Sequence, residues 1–225
     1  MMTSGTPFPS NLTEIDQLTR SDHSYLNEED QCYFLGEYTA RQSYSYSDTN
    51  SLIMNLKKKM DRRNEYEWRY KTRDITRAGT ALGNALHPEW LNTAAFVPIP
   101  PSKAKHDPMY DDRMSQVIAA MRPQNPVDCR ELIIQTTSTD AAHESDNRPS
   151  PRDILRLYEL DHSLIEPRPL KIVICDDVLT TGAHFKAAKT ILTQEFPDAV
   201  IIGCFIARRV PEAVDVENFI EDWDD

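Results

Sequence analysis

The chain is poor in glycine and cysteine and has no long hydrophobic run. Six glycines stand against fifteen prolines in 225 residues, a balance that predicts rigid loops rather than flexible ones. The four cysteines, Cys32, Cys129, Cys175 and Cys204, lie far apart with no CxxC pair. A zinc site or disulfide framework is therefore not expected, and a reducing cytoplasmic setting is. Cys175 and Cys204 fall in apolar runs, where a thiol behaves as a small hydrophobe. No apolar stretch approaches the ~20 residues that span a bilayer. The opening MMTSGTPFPSNLTEIDQ has no charged segment leading into an apolar one, so neither a membrane association nor a signal peptide is expected. Positive charge in excess is also missing. A net charge of −11 and a pI near 5.0 argue against coating nucleic acid through the overall field, which leaves nucleic acid open only as a local, less favoured partner.

What is present divides into four stretches. Residues 1–24 are polar and read as a loose arm or one that packs on a neighbour. Residues 25–90 read as an N-terminal hood or helical region. Its start carries Tyr25, Tyr33, Tyr38, Tyr44 and Tyr46, expected to pack an N-terminal layer, with the lining of a flat-ligand pocket as the alternative. Asp48 or Thr49 is a candidate cap for a helix over SLIMNLKKK. Between Lys57 and Arg77 nine bases face four acids, with Trp68 and Tyr70 interleaved. A solvated charged face is the expectation there, and a phosphate or nucleic-acid site the alternative. DITRAGTALGNAL (74–86) has helical spacing, with Asp74 as its cap.

Residues 91–211 form the core. TAAFVPIP (93–100) reads as a buried strand stopped by Pro98 and Pro100. A helix over 113–121, a strand over 129–137, a mobile loop over 138–150 and a helix opening at Ser150-Pro151 and running on through PRDILRLYEL follow. LKIVICD (170–176), a turn, a helix over 183–194 and AVIIGCFIA (199–207) make a β-turn-α-β unit. Unbroken apolar strands alternating with helices predict an α/β fold with a parallel sheet covered on both faces. Residues 212–225 hold seven acids and no base and read as a solvated or partner-facing acidic tail.

The most informative stretch is ICDDVLTTGAH (174–184), which joins a buried strand to a helix. Ligands of open parallel sheets sit at the carboxyl ends of the strands. A turn with Thr180 and Thr181 at a helix N-terminus is a ready phosphate site, and Gly182 allows close approach or a positive φ. Asp176 and Asp177 would repel an anion unless the ligand brings hydroxyl groups or a divalent cation. A ribose 5-phosphate brings the hydroxyls and the phosphate together.

IVICDDVLTTGAH, thirteen residues, resembles the signature for phosphoribosyl diphosphate (PRPP) in type I phosphoribosyltransferases. FVPIPPSKAKHDPMYDDRM is similar to the matching stretch of their ComF-like branch. The resemblance covers about residues 93–210, and the zinc ribbon of many ComF-like proteins is absent. It implies an open, mostly parallel sheet flanked by helices with an N-terminal hood. It also implies transfer of a phosphoribosyl group from PRPP, with Mg²⁺, to a nitrogen acceptor. Asp176 and Asp177 would hold the ribose hydroxyls and reach the metal indirectly, through PRPP. Thr180, Thr181, Gly182, Ala183 and His184 would cradle the 5′-phosphate. His184 stands where the family usually has Thr or Ser, and a protonated ring there would add charge. Ser102 and Lys103, with Lys105 and Arg113 as weaker candidates, would carry the pyrophosphate, and Arg148 or Arg152 would act from the closing loop. His106 and His143 read as surface residues. Asp177→Asn is expected to weaken PRPP binding and leave the fold intact. The alternative is a non-catalytic sensor of PRPP or a nucleotide, or a stress or defence effector within a larger complex. A homodimer and a protein partner on the N-terminal region are the further partners considered.

Overall fold

The computed structural model describes residues 8–139 and 149–211. In chain order these form β1 (Thr13–Glu14), α1 (Gln17–Arg20), β2 (Cys32–Thr39), α2 (Asp48–Leu56), α3 (Trp68–Ala85), α4 (Pro88–Thr93), β3 (Ala95–Pro98), α5 (Arg113–Ala119), β4 (Asp128–Cys129), β5 (Ile133–Gln135), α6 (Pro151–Leu155), β6 (Tyr158–Leu160), β7 (Lys171–Leu179), α7 (Ala183–Glu195) and β8 (Val200–Val210). Six strands make one sheet in the order β1-β2-β8-β7-β3-β4. All its pairings are parallel except that of β1 with β2. The sheet takes strands from both sides of residue 90, because β2 pairs with β8 along seven residues of each strand.

Alternation along β7 builds two cores. Val173 and Cys175 join Leu52, Ile53, Ile75 and Val117 from α2, α3 and α5. Ile172 and Ile174 join Phe185, Ala188 and Leu192 from α7 on the other face. Helices thus cover both faces of the sheet, which is why its strands are apolar almost without interruption. Leu52, Ile53 and Leu56 of α2 are completely buried, and each contributes about 1.5–3 kcal/mol relative to exposure. On α3, a Cβ added at Gly79 would lie 2.5 Å from the Val117 carbonyl oxygen. The close seat of α5 therefore depends on the missing side chain. Among the described residues no helix is long and apolar enough to cross a membrane.

Several boundaries differ from expectation, each for a visible reason. The cap of α2 is Ser47, neither Asp48 nor Thr49; its hydroxyl accepts from the Asn50 N–H at 3.0 Å. Helix α3 starts at Trp68, and Asp74 is a buried mid-helix residue accepting from Asn55 and Arg73 rather than a cap. Its first turns carry a polar surface, so apolar periodicity begins late. The strand expected over 129–137 is two strands. Arg130 breaks it, donating to Asp128 and to the Leu164, Ile165 and Pro167 carbonyls. Strand β5 then leaves the main sheet and pairs antiparallel with β6. The helix opening at Pro151 ends at Leu155, and Tyr158–Leu160 is strand rather than helix. Ser150 caps α6 through the Asp153 N–H. Within 8–24 the arm is fixed, not loose: β1 pairs with Tyr33 and Phe34, and Ile15 is buried. Tyr33 and Tyr38 pack partly against the core while Tyr25, Tyr44 and Tyr46 are exposed. The expectations for the acidic tail 212–225, for most of the 138–150 loop and for His143 and Arg148 lie outside the described residues.

Candidate functional site

Strand β7 ends at the carboxyl edge of the sheet, next to β3, and a pocket of about 400 Å³ opens there. Its lining includes Asp176, Asp177, Thr180, Thr181, Ala183 and His184 from the β7–α7 connection, and Ser102, Lys103 and Arg113 from the segment after β3. Residues 74 positions apart in sequence, Ser102 and Asp176, thus face one cavity. Gly182 shapes the turn without lining the pocket. Its φ of +84° is left-handed, and a Cβ there would lie 2.8 Å from Leu26 Cδ2. That conformation turns the chain into α7, whose first N–H groups and positive dipole end face the turn.

Residues 23–26 support this turn from behind. The Tyr25 N–H donates to the Thr181 carbonyl at 2.9 Å, and the buried His23 bonds through Nδ1 to the Thr180 carbonyl. Burial holds the His23 ring below its ordinary pKa, so it acts as a neutral donor. The Ser102 loop is braced too. The Ser102 carbonyl accepts from the Thr139 N–H at 2.8 Å and from Gln135 Nε2 at 3.1 Å. The Ala104 N–H donates to Ser138, whose hydroxyl donates to Asp107.

The two acids differ in environment. Asp177 is 4% exposed. Its Oδ2 accepts from Arg113 Nε at 2.9 Å and Nη2 at 2.7 Å, and Lys57 Nζ lies 3.3 Å from Oδ1. Burial pushes its carboxyl up, but Lys57 and Arg113 outweigh this and hold it well below the usual carboxylate range. Asp176 is half-buried and, among the described residues, accepts only the Asp177 N–H, at 2.7 Å. Burial, then the adjacent Asp177 charge, raise its carboxyl well above that range. The pair therefore holds one firm negative charge and one proton-exchanging carboxyl.

Arg113 is expected to meet pyrophosphate, yet its side chain is committed to carboxylates. Its Nη1 donates to Asp111 Oδ2 at 2.9 Å, and Lys71, 1% exposed, reaches the same oxygen at 2.6 Å. A chain of charges thus runs Lys71–Asp111–Arg113–Asp177–Lys57. Sequence reasoning missed Lys57, Lys71 and Asp111. The basic run 57–77 and the Asp111-Asp112 pair were visible, but only folding joins them. His184 is not a source of positive charge: burial lowers its pKa to about 4, and its Nδ1 pairs with the Tyr158 hydroxyl at 2.8 Å. Lys105 binds Glu131 at 2.6 Å and does not line the pocket, and neither does the exposed Arg152. His106 is exposed.

Fold and site define the class: an α/β protein with a mostly parallel sheet and a ligand-sized, charge-rich pocket at its carboxyl edge. No family model matches the chain, and no curated protein matches it.

Proposed function

We propose that this pocket binds PRPP, or a nucleotide built on ribose 5-phosphate, and transfers the phosphoribosyl group to a nitrogen acceptor with release of pyrophosphate. The observation that carries this reading is the convergence on one pocket of two acids, a threonine turn at a helix start and the Ser102-Lys103 loop. A strand-end phosphate seat beside hydroxyl-binding carboxyls matches ribose 5-phosphate in both charge and hydrogen-bonding sense.

The donors fit a magnesium ion that arrives with its substrate. Asp176 offers a hard oxygen to the pocket, and among the described residues no three His, Cys, Asp or Glu gather as a protein-built cage; Mg²⁺ characteristically binds one or two carboxylates plus substrate phosphates. When bound, the ion neutralises pyrophosphate oxygens. The chain's own groups do the rest. The Thr180 and Thr181 hydroxyls and the N–H groups opening α7 hold the 5′-phosphate, and His184 contributes its backbone. Asp176 accepts from a ribose hydroxyl. The fixed Asp177 charge stabilises positive charge on the sugar as the C1–oxygen bond breaks. The acceptor nitrogen's lone pair forms the new C1–nitrogen bond, the bonding electrons of the broken bond leave with pyrophosphate, and the acceptor proton passes to water. Ser102 and Lys103 take the departing charge.

One observation favours a second reading, a non-catalytic sensor of the same ligand or an effector subunit: both Asp177 oxygens are already engaged by cations. Titration calorimetry with PRPP, with and without Mg²⁺, against ribose 5-phosphate tests the site. Magnesium-dependent binding of PRPP beyond that of ribose 5-phosphate is expected, and release of pyrophosphate with a screened nucleobase separates enzyme from sensor. Binding of neither ligand overturns both readings.

A further inference from the structure

We propose that Tyr44, Lys58, Tyr66, Arg69, Tyr70 and Arg73 form a docking surface for single-stranded nucleic acid. The inference does not rest on the phosphoribosyl reading.

Three segments meet on this face. Tyr44 precedes α2, Lys58 follows it, and the others lie at and just before the start of α3. The Arg69 guanidinium lies 3.6 Å from the Tyr66 ring centre and 4.8 Å from that of Tyr70. Arg73 lies 5.3 Å from Tyr70, and Lys58 Nζ lies 5.4 Å from Tyr44 and 5.7 Å from Tyr70. Tyr66 is 71% exposed and Tyr44 46%. Helical spacing within α3 explains Tyr70 with Arg73, and Tyr66 stands in the turn just before the helix, close in sequence to Arg69. Neither explains the arrival of Tyr44 and Lys58 from elsewhere in the chain.

Part of the positive charge on this face is held without a salt bridge. Arg77, Arg168 and Lys171 each bind a carboxylate, and so do Arg62 and Arg73 here. Lys58 and Arg69 make no salt bridge among the described residues; their counter-groups are ring faces and neutral oxygens. Exposed tyrosine rings interleaved with cations are what the bases and phosphates of a single strand use, although Asp74 and Glu67 offset part of the charge on Lys58 and Arg73. A duplex keeps its base faces stacked, and the face has no aliphatic side chain for a bilayer. Asp61 and Glu65, exposed beside it, limit the field, so binding is modest and salt-sensitive. The surface adjoins the pocket, whose lining includes Lys57, Lys59 and Met60.

Fluorescence anisotropy of the full chain with a labelled oligothymidylate and oligouridylate, each about twelve nucleotides long, and a hairpin duplex tests this. At low salt the single strands bind, the hairpin binds more weakly, and added salt weakens both. Tyr66→Ser and Arg69→Ala each lower single-strand affinity about fivefold or more. Arg168→Ala, which removes an arginine lying over Phe196 elsewhere, leaves it unchanged. An unaltered melting temperature shows that the exposed Tyr66 variant is folded. Absence of binding at low salt, equal binding by the Tyr66 and Arg69 variants, preference for the hairpin, or displacement by polyglutamate as effective as by unlabelled oligonucleotide would each overturn the proposal.

Discussion

Arg113 grips a single oxygen of Asp177 with two of its N–H groups, at 2.9 and 2.7 Å, while its third nitrogen holds Asp111. The contact joins the start of α5 to the end of β7 across 64 residues of sequence. It also changes what Asp177 can report. Asp177→Asn, expected from sequence to be a clean probe of ligand binding, instead leaves Arg113 and Lys57 without their shared counter-charge. Asp176→Asn is the cleaner probe, because Asp176 also lines the pocket and, among the described residues, accepts a backbone N–H and no side-chain donor.

Removal of Arg113 leaves Asp177 with Lys57 and Asp111 with Lys71 as their remaining cations. Breaking a buried pair from one side costs about 3–5 kcal/mol, so Arg113→Met should lower stability by about that amount in urea denaturation. A loss below about 1 kcal/mol would show that Lys57 and Lys71 suffice to hold the two acids.

Stability against pH carries two opposed slopes. Asp176, pushed up to about 7 by burial and by Asp177, binds a proton in the fold that the unfolded chain, at 3.8, has released. That contribution makes stability fall as pH rises from about 4 to 7. His184, lowered by burial from 6.5 to about 4, lacks a proton that the unfolded chain binds. Its contribution makes stability rise across nearly the same window, and His23, lowered in the same sense by burial, adds to it. The stabilisation held by the depressed Asp177 disappears only as pH falls through and below the ordinary aspartate range. Asp176→Asn should therefore melt higher as pH rises from 4 to 6.5, more steeply than the unaltered protein, and His184→Gln should tilt the other way. Calorimetric scans with parallel profiles in all three proteins would contradict both assignments.

The parts of the site that were legible in sequence are the contiguous ones. Asp176 through His184 follow one another, so strand, turn and helix start could be read together with their chemistry. Lys57 and Asp111 could not be placed, because an ion pair between segments far apart in sequence leaves no periodic trace in either one. Strand β2 is hidden for a related reason. CYFLGEYT offers only a short apolar run broken by Gly36, and its partner β8 lies about 170 residues away. Arg130 shows the opposite failure: CRELIIQTT has strand composition, but its arginine finds three carbonyls that turn the chain out of the sheet.

Gly182 should resist even the smallest substitution. Gly182→Ala places a Cβ in a left-handed conformation and 2.8 Å from Leu26 Cδ2, for an expected loss of about 1–3 kcal/mol. Adding Leu26→Ala removes the steric part and leaves the backbone part. The double variant should then be less destabilised than the sum of the two single ones, as a denaturation cycle would measure. Strict additivity would mean that Leu26 does not press on the turn.

Lys103 separates the two ends of the proposed ligand. Its loop is held through the Ser102 carbonyl by Gln135 and Thr139, so Lys103→Ala should leave the backbone in place. Loss of a charge-assisted contact to pyrophosphate should weaken PRPP binding about tenfold or more, while ribose 5-phosphate, which has no pyrophosphate, binds as before. Calorimetry with both ligands on the one variant decides the matter. Equal losses would assign Lys103 to the sugar phosphate end, and an unchanged PRPP affinity would remove this loop from the site altogether.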